Sequence, residues 1–391
     1  MSIIEIIFWI CIVIVFYTYI GYGIILFAAV KVKRAFCKSK QEPDFFEPVD
    51  VTLMICAYNE QDIVEMKMDN TNSLDYPKDK LHVVWVTDGS NDATNEKLSH
   101  YPNVKILYSP ERKGKTAAIN RGIKLVDTSL IIMTDANTII NPEAVKEVVK
   151  LFQDPKVGCV AGEKRVMSRH EGQAAAEGEG LYWKYESTLK KWDSELYSAM
   201  GAAGEFCAIR KELYQEMPED TLLDDFIVSM QMVDRGYRIA YTDKAYAMEY
   251  GSADFQEESK RKRRIAAGGL QSIWRLRRML NPFRQPVVAF QYISHRVLRW
   301  SITPIALISL IPLNVALVFG KAGTIYTIIW ILQILFYAAA LLGYIFACKG
   351  RKNKLLYIAY YFLFMNVNVF RGMAYLCKNK NKGAWEKAKR G

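Results

Sequence analysis

Two polar side chains, Asp135 and Asn137, follow a short apolar run near the middle of the chain. The run, residues 130–133, is typical of a strand that is buried on both faces of a mostly parallel sheet. Open α/β sheets bind ligands beyond the carboxyl ends of their strands, which is where this pair falls. Oxygen-bearing side chains two residues apart can share one hard cation, so the pair is a candidate metal site. The alternative is an Asx turn before the next helix.

Three more predicted strands end in residues that suit a nucleotide diphosphate. The first ends near Tyr58 and Glu60, the second ends at Asp88, and the third is followed by Lys115. Lys115 stands just before a predicted helix, where free backbone N–H groups and a cation both favour phosphate. Each strand end taken alone also fits an ordinary turn or a surface lysine. Four consecutive strand ends with such residues favour a nucleotide-diphosphate site. The sequence has no Walker loop and no G-x-G-x-x-G motif, which argues against ATPases and dehydrogenases.

These residues require a sheet that brings the strand ends together. Predicted strands alternate with helices from about residue 48 to 250, which is typical of a parallel, doubly wound α/β domain. The four predicted strands occupy residues 51–56, 81–87, 104–108 and 130–133.

Both ends of the chain are apolar, whereas charge fills the middle. Residues 3–30 carry almost no charge and are long enough to cross a bilayer, so we predict a retained anchor. Lysines and arginines follow at once, which places the next segment in the cytoplasm by the positive-inside rule. Residues 301–377 contain three further apolar segments and predict a membrane bundle, followed by the basic tail 378–391. Asn366, Asn368 and Arg371 in the last segment are expected to face protein or a polar path.

The number of predicted membrane crossings conflicts with the charge of the carboxyl-terminal tail. If residues 3–30 and all three later segments cross, the tail 378–391 ends outside, although its lysines and arginines favour the cytoplasm. Either the last segment does not cross fully, or one of the other two is interfacial.

The composition indicates which partners the chain binds and argues against disulfides and structural zinc. The 391 residues carry a net charge of +11, and the basic residues lie next to the apolar segments. Attraction to anionic lipid headgroups therefore explains the charge better than nucleic-acid binding. Seven cysteines without a C-x-x-C pair, and four scattered histidines, argue against disulfides and structural zinc.

Several ordered motifs resemble those of the family 2 glycosyltransferases. They cover about residues 48–270 and are Ala57-Tyr58-Asn59-Glu60, Thr87-Asp88-Gly89-Ser90, Gly114-Lys115-Thr116, Thr134-Asp135-Ala136-Asn137, the loop from Gly201 to Gly204, and Leu223-Asp224-Asp225-Phe226. With the flanking membrane segments, the chain resembles the bacterial branch that contains poly-N-acetylglucosamine, chitooligosaccharide, hyaluronan and cellulose synthases. The resemblance implies an α/β GT-A domain between one amino-terminal and about three carboxyl-terminal transmembrane helices.

The resemblance also implies roles for the strand-end residues. Tyr58, Glu60 and Asp88 would hold the uridine of a UDP-sugar, and Lys115 the neighbouring part of the nucleotide. Asp135 and Asn137 would bind Mg²⁺ or Mn²⁺. The family usually has a second aspartate where this chain has Asn137, and an amide oxygen adds no charge to the site.

By the same resemblance, residues of three further motifs would contact the acceptor. Asp225 would be the base that takes a proton from the acceptor hydroxyl, with Asp224 as helix N-cap or support. Gly201 and Gly204 lack bulk and would let an acceptor approach. Trp183 would stack on a sugar or, equally well, belong to the core.

The basic segment 251–300 lies where polymerising relatives carry Q-x-x-R-W. With Arg264 on the motif arginine, Arg261 replaces the glutamine and Ile265 the tryptophan. Arg264 would neutralise the departing diphosphate, and Arg261 is assigned to the donor side. Residues 270–280 and 291–300 are predicted to be interfacial amphipathic helices.

The sequence therefore predicts a metal-dependent, inverting glycosyltransferase of the bacterial plasma membrane, multi-pass, with a cytoplasmic catalytic domain. It would transfer a sugar from a UDP-sugar to a glycan or lipid acceptor in β-linkage, in the synthesis of a surface polysaccharide. Three helices can line only a narrow polymer path, so export would need a partner or a second copy. The alternatives are single addition to a lipid, and a catalytically silent subunit that binds nucleotide or glycan in a larger synthase.

Overall fold

The protein is described by a computed structural model that covers residues 2–36, 46–167, 174–251, 255–348 and 353–378. Its centre is an eight-stranded, mostly parallel sheet with the strand order β3-β2-β1-β4-β7-β6-β8-β5. The strands are β1 Val51–Ala57, β2 Leu81–Asp88, β3 Val104–Ser109, β4 Leu130–Asp135, β5 Ile139–Ile140, β6 Val157–Met167, β7 Phe206–Arg210 and β8 Arg238–Tyr250.

The first four strands run parallel, and their register explains why the predicted side chains meet. Cys56 of β1 pairs with Asp135 of β4, and Ala57 pairs with Thr87. The loops after β1, β2 and β4 therefore leave the sheet at the same edge. Strand β7 then pairs antiparallel with both β4 and β6, which brings the residues before Phe206 to that edge.

The helices are α1 Ile3–Phe16, α2 Tyr22–Phe36, α3 Val64–Asn72, α4 Thr94–Ser99, α5 Lys115–Lys124, α6 Ala144–Leu151, α7 Ala174–Leu196, α8 Asp224–Asp234, α9 Phe255–Arg275, α10 Pro286–Tyr292, α11 Leu298–Trp300, α12 Ile302–Phe319, α13 Thr324–Cys348 and α14 Lys354–Lys378. Helices α5 and α8 pack on one face of the sheet, and α3 and α6 pack on the other. Alternate residues of the buried strands face opposite sides, so the sheet has two cores. Met54 and Met133 lie on the α5 and α8 side, whereas Ile55 and Ile132 lie on the α3 and α6 side.

Three helices are long and apolar enough to cross a membrane: the continuous helix Ile3–Phe36, which joins α1 and α2 through a π-helical turn, together with α12 and α13. Phe8 and Cys11 of α1 pack against Ala306 and Leu310 of α12. The third predicted carboxyl-terminal segment forms helix α14, but α14 does not meet this criterion within the described residues. The described residues therefore contain two carboxyl-terminal candidate spans, where about three transmembrane helices were expected.

Helix α14 packs on α9 and α13. Asn366 and Asn368 are buried, and they accept hydrogen bonds from Tyr19 and Ser259 respectively, each at 2.8–2.9 Å. Arg371 donates to the same Ser259 hydroxyl at 2.9 Å. The prediction that the polar residues face protein or a polar path is confirmed for the buried Asn366 and Asn368, whereas Arg371 is exposed apart from its contact with Ser259.

The basic segment after the sheet differs from the prediction. Residues 270–275 belong to the single long helix α9, so no separate helix covers 270–280, although Trp274 is largely exposed. The segment 291–300 is not an interfacial helix. His295, Arg296 and Arg299 are buried because acidic residues of α7 pair with them. The linker lysines Lys38 and Lys40 and the tail after Lys378 lie outside the described residues.

Candidate active site

A cavity of about 460 Å³ lies between the carboxyl edge of the sheet and helices α7, α8, α9 and α14. Its wall includes eight of the residues predicted from the sequence: Lys115, Asp135, Trp183, Gly204, Asp224, Asp225, Arg261 and Arg264. The remaining predicted residues, Tyr58, Glu60, Asp88, Asn137 and Gly201, lie outside this wall and are described below.

The amino group of Lys115 lies between two carboxylates. Its Nζ is 2.6 Å from Asp135 Oδ1 and 3.6 Å from Asp224 Oδ2. Burial would lower the pKa of Lys115, but Asp135 and Asp224 together raise it well above its usual value. The lysine is therefore a fixed positive charge at the end of β4.

Asp225 lies in the first turn of α8, beside Lys115. The N-cap position of α8 is Leu223, without a side-chain hydrogen bond, so of the two roles expected for Asp224, N-cap or support, the N-cap role is wrong. Asp224 instead faces Lys115. Asp225 Oδ1 accepts a hydrogen bond from the backbone N–H of Phe226 at 2.8 Å. Burial and the neighbouring Asp224 raise the pKa of Asp225 to about 6, which suits a general base near neutral pH.

The two glycines differ in position. A Cβ atom on Gly204 would lie 3.3 Å from Lys115 Nζ and 3.4 Å from Asp225 Oδ2, so this glycine lies directly against both charged groups. Gly201 is buried behind the wall with φ +97°. A Cβ there would lie 2.3 Å from the Phe226 ring. The absence of a side chain at Gly201 makes room for Phe226 rather than for a ligand.

The turn after β4 suits a divalent cation. Asp135 is half-buried and already faces the cationic Lys115, and Asn137, in the following turn, makes no side-chain hydrogen bond with any described residue. Mg²⁺ commonly uses one or two protein oxygens and completes its shell with phosphate and water. The oxygen donors of Asp135 and Asn137 fit that chemistry.

Buried Lys67, which sequence reasoning missed, supports this turn. Its Nζ donates to the Thr138 carbonyl oxygen at 2.8 Å and to the Thr134 hydroxyl at 3.2 Å. Burial lowers the pKa of Lys67 to about 7. Its position on α3, one turn from polar neighbours, gave no sequence signal that separates it from a surface lysine.

The residues predicted to hold the nucleotide lie at the ends of β1 and β2. Asp88 Oδ2 accepts hydrogen bonds from the backbone N–H groups of Lys113 and Gly114 at 2.9 and 2.7 Å, and thereby fixes the loop before α5. The guanidinium of Arg112 stacks on the Tyr58 ring at 3.9 Å from the centroid. Glu60 is buried, and its backbone N–H donates to Thr94 Oγ1. These contacts order the loops, and binding of uridine stays a prediction.

Arg261 belongs to a buried charge cluster that includes Glu205. Arg261 Nη2 lies 3.2 Å from Glu205 Oε1, and Lys164 Nζ lies 2.5 Å from the same oxygen. These two cations hold the pKa of Glu205 well below its usual range although burial alone would raise it. Glu205 directly follows Gly204 in the sequence, and this adjacency to a predicted site residue is the one local feature that points to the cluster. Arg264 faces the cavity without an ion pair or hydrogen bond among the described residues.

Helix α7 supplies the opposite wall. Trp183 is half-buried there, under the ammonium of Lys164 at 4.9 Å from the ring centroid. One turn later, Glu186 lies 2.5 Å from Arg296 and 3.0 Å from Arg299. Asp193 Oδ2 lies 2.5 Å from His295 Nδ1. The sequence displayed these charges, but their pairing joins segments more than a hundred residues apart.

Comparison with known proteins identifies the class of this site. The family model described as "Glycosyltransferase like family 2" matches residues 48–268, more than half of the chain. The chain belongs to the family 2 glycosyltransferases. The matched range ends within α9, so it contains the sheet and most of the cavity wall.

Curated relatives of this glycosyltransferase include poly-β-1,6-N-acetyl-D-glucosamine synthases. The protein of Staphylococcus aureus strain MSSA476 is 28% identical over 229 residues, which cover 56% of this chain and 54% of the relative. The protein of Staphylococcus epidermidis is 24% identical over 203 residues, covering 50% of this chain and 48% of the relative. The chain thus spans about half the length of the curated relatives it matches.

A solved structure shows the fold. The mannosyltransferase PcManGT from Pyrobaculum calidifontis, in complex with GDP-Man and Mn²⁺, aligns with a TM-score of 0.70 and 21% identity, over 96% of this chain and 100% of that one. The predicted GT-A fold of this glycosyltransferase is confirmed.

Proposed function

We propose that this glycosyltransferase transfers a sugar from a UDP-sugar to a hydroxyl of a glycan or lipid acceptor, with inversion to a β-linkage and with a divalent cation. The observation that supports it most is the cluster of Lys115, Asp135 and Asp225 in one cavity. A cation beside one carboxylate suits a diphosphate, and a second carboxylate with a raised pKa suits proton transfer. The poly-β-1,6-N-acetylglucosamine synthases among the relatives support an N-acetylhexosamine donor and a role in surface polysaccharide synthesis.

In the proposed reaction, Asp225 accepts the proton of the attacking hydroxyl while the donor stays on the Asp135 side. Gly204 leaves the space between Asp225 and Lys115 open for the reacting atoms. Arg264, which lines the cavity, would neutralise the negative charge of the diphosphate as it leaves. Tyr58, Glu60 and Asp88 would hold the nucleotide base and ribose.

Asp135 and Asn137 would hold the metal. A bound Mg²⁺ or Mn²⁺ neutralises negative charge on the diphosphate. Replacing Asn137 with aspartate restores a charged ligand of the same length. We therefore expect Asn137→Asp to keep or raise the affinity for the metal, and a large loss of both affinity and activity would mean that the amide has a different role.

The enzyme is proposed to be a multi-pass protein of the bacterial plasma membrane with a cytoplasmic catalytic domain. Helices Ile3–Phe36, α12 and α13 support this placement. Lys31, Lys33 and Arg34 at the end of the first helix support the cytoplasmic side. Export of a polymer would need a partner or a second copy, since the three candidate spans among the described residues could line only a narrow path.

The deciding experiment measures UDP release by the full chain, in membranes or purified in detergent, with candidate UDP-sugars and with Mg²⁺, Mn²⁺ or excess chelator. We expect turnover only with a divalent cation, and we expect Asp135→Ala to abolish it because the carboxylate that holds the cation is lost. Full turnover in excess chelator would contradict the proposed metal dependence. Absence of UDP release under every condition would instead favour the silent binding subunit.

A further inference from the structure

The first candidate membrane span contacts the rest of the chain where two π-helical turns face each other. One turn is Tyr17–Gly21 within the helix Ile3–Phe36, and the other is Ile293–Val297, between α10 and α11. The Tyr17 hydroxyl lies 2.7 Å from Ser294 Oγ of the second turn. Single π-turns inside helices are rare and are frequently found at functional sites. Two such turns in contact indicate that this junction requires a defined geometry.

A buried polar network begins at Tyr22, directly after the first π-turn. The Tyr22 hydroxyl donates a hydrogen bond to Asp193 of α7, and its ring centroid lies 5.8 Å from that of His295. His295 places Nδ1 2.5 Å from Asp193 and Nε2 3.2 Å from Glu186. Tyr22, Asp193 and His295 are all fully buried. Because a buried polar group is destabilised when it loses a partner, each member of the network fixes the position of the next.

Glu186 connects this network to Arg296. Its Oε1 lies 2.5 Å from Arg296 Nη1. Burial alone would raise the pKa of Glu186, but Arg296 and His295 hold it well below its usual range. Glu186 is therefore an anion that orients the guanidinium of Arg296.

Arg296 contacts both segments that lie next to the proposed base. Its Nε donates to the carbonyl oxygen of Met200 at 2.7 Å, at the start of the loop that leads to Gly204. Its guanidinium lies 5.9 Å from the centroid of the Phe226 ring. The backbone N–H of Phe226 in turn donates to Asp225 Oδ1 at 2.8 Å. A shift of Arg296 would therefore move Asp225 relative to the loop that it faces.

Resting on the proposed transfer reaction, we propose that Tyr22 is a positioning residue for the base Asp225, so that the helix Ile3–Phe36 is part of the framework of the active site. Tyr22 and Asp193 lie outside the cavity wall, so neither is placed to touch a substrate there. The effect of Tyr22 on transfer is exerted through the buried network that ends at Arg296.

The test removes one hydroxyl group from each of two tyrosines of the same helix, in the full chain in nanodiscs, with UDP-N-acetylglucosamine as donor and an N-acetylglucosamine oligomer as acceptor. Tyr22→Phe loses the hydrogen bond to Asp193 and keeps the ring. We expect its kcat to fall about tenfold, a smaller loss than the roughly hundredfold cost of misplacing reacting groups by about 1 Å. The KM for the donor and the affinity for UDP should stay unchanged, because the network does not reach the proposed nucleotide site.

Tyr17→Phe is the matched control. It loses the contact with Ser294 at the same junction but leaves the network from Tyr22 to Arg296 intact, so its kcat should stay unchanged. A Tyr17→Phe variant as impaired as Tyr22→Phe would refute a specific role for Tyr22. An unchanged kcat in Tyr22→Phe would refute it as well.

Hydrogen exchange provides a readout that does not depend on activity. Tyr22→Phe should accelerate amide exchange in residues 200–204 and 226–229, at the far end of the network, whereas Tyr17→Phe should not. Unchanged exchange in both segments would overturn the proposal. Accelerated exchange in a protein that releases no UDP under any condition would contradict the proposed transferase function and still support the structural link from Tyr22 to the segment of Asp225.

A double variant separates positioning from a general loss of stability. Arg296→Lys keeps a charge beside Glu186 and removes the Nε donor to Met200, so it should also lower kcat. If both residues act through one network, Tyr22→Phe combined with Arg296→Lys should lose less than the product of the two single losses. Losses that multiply would show independent effects and refute the proposal. If Tyr22→Phe does not fold, Asp193→Asn interrupts the same network from α7 and is judged by the same outcomes.

Discussion

At the residue scale, the acidic pair at the start of α8 separates into two roles. Asp224 contacts Lys115, whereas Asp225 lies against Gly204 and carries the raised pKa. Both side chains follow Leu223, the N-cap residue, so neither is needed to cap the helix. The two adjacent aspartates therefore offer a matched pair of substitutions.

We expect Asp225→Asn to lower transfer by roughly a hundredfold or more, the usual contribution of a positioned base. UDP-sugar binding should remain, because the nucleotide is proposed to lie at the ends of β1, β2 and β4. Asp224→Asn should cost less, since Lys115 keeps Asp135 as a partner. The measurement is transfer together with UDP binding for both variants. If the Asp224 variant is inactive and the Asp225 variant is active, Asp224 is the base instead of Asp225.

The pKa of Asp225 also predicts a pH profile. With a pKa raised to about 6, the carboxylate is ionised and able to accept a proton above that pH. It becomes protonated as the pH falls. We expect kcat/KM to decline tenfold per pH unit below about 6. A profile flat down to pH 5 would show that no group of this pKa is needed in its ionised form.

At the scale of elements, the loop before β7 places two glycines with different tasks. Gly204→Ala would put a methyl group against Lys115 and Asp225. We expect transfer to fall roughly ten- to a hundredfold, the scale of a small displacement of reacting groups, with little change in melting temperature because the lysine end can shift.

Gly201→Ala provides the contrast. Its positive φ and the close Phe226 ring make a side chain unfavourable in the folded state. We expect a loss of about 1–3 kcal/mol in the free energy of unfolding, seen as a lower melting temperature. If instead Gly201→Ala folds normally and weakens the affinity for acceptor, the residue contributes to binding as the sequence predicted.

At the scale of the whole molecule, the number of crossings decides where the basic segments lie. If only the three candidate spans cross, the positive-inside rule predicts that the basic segments 349–354 and 378–391 lie on the side of the catalytic domain. A fourth crossing by α14 would place the tail outside. We expect an epitope tag after Gly391 to be accessible to antibody only once the membrane is permeabilised. Labelling of the tag on intact spheroplasts would show that α14 crosses.

The sequence by itself determined the class of fold and the edge of the sheet at which the candidate site residues meet. Apolar runs such as 130–133, and polar strand ends such as Asp88 and Asp135, are local patterns, and β1 to β4 begin where they were predicted. Parallel strands then bring Cys56 beside Asp135 without further information. Asp224 and Asp225, which belong to a family motif, line the same cavity as Asp135.

Only the tertiary structure decided how the charges are shared. Glu186 and Arg299 are separated by 113 residues, and Lys67 lies beneath Thr134 across 67 residues. A charged residue buried by a distant partner has the same local sequence pattern as one on the surface, which is why 291–300 was predicted to be interfacial.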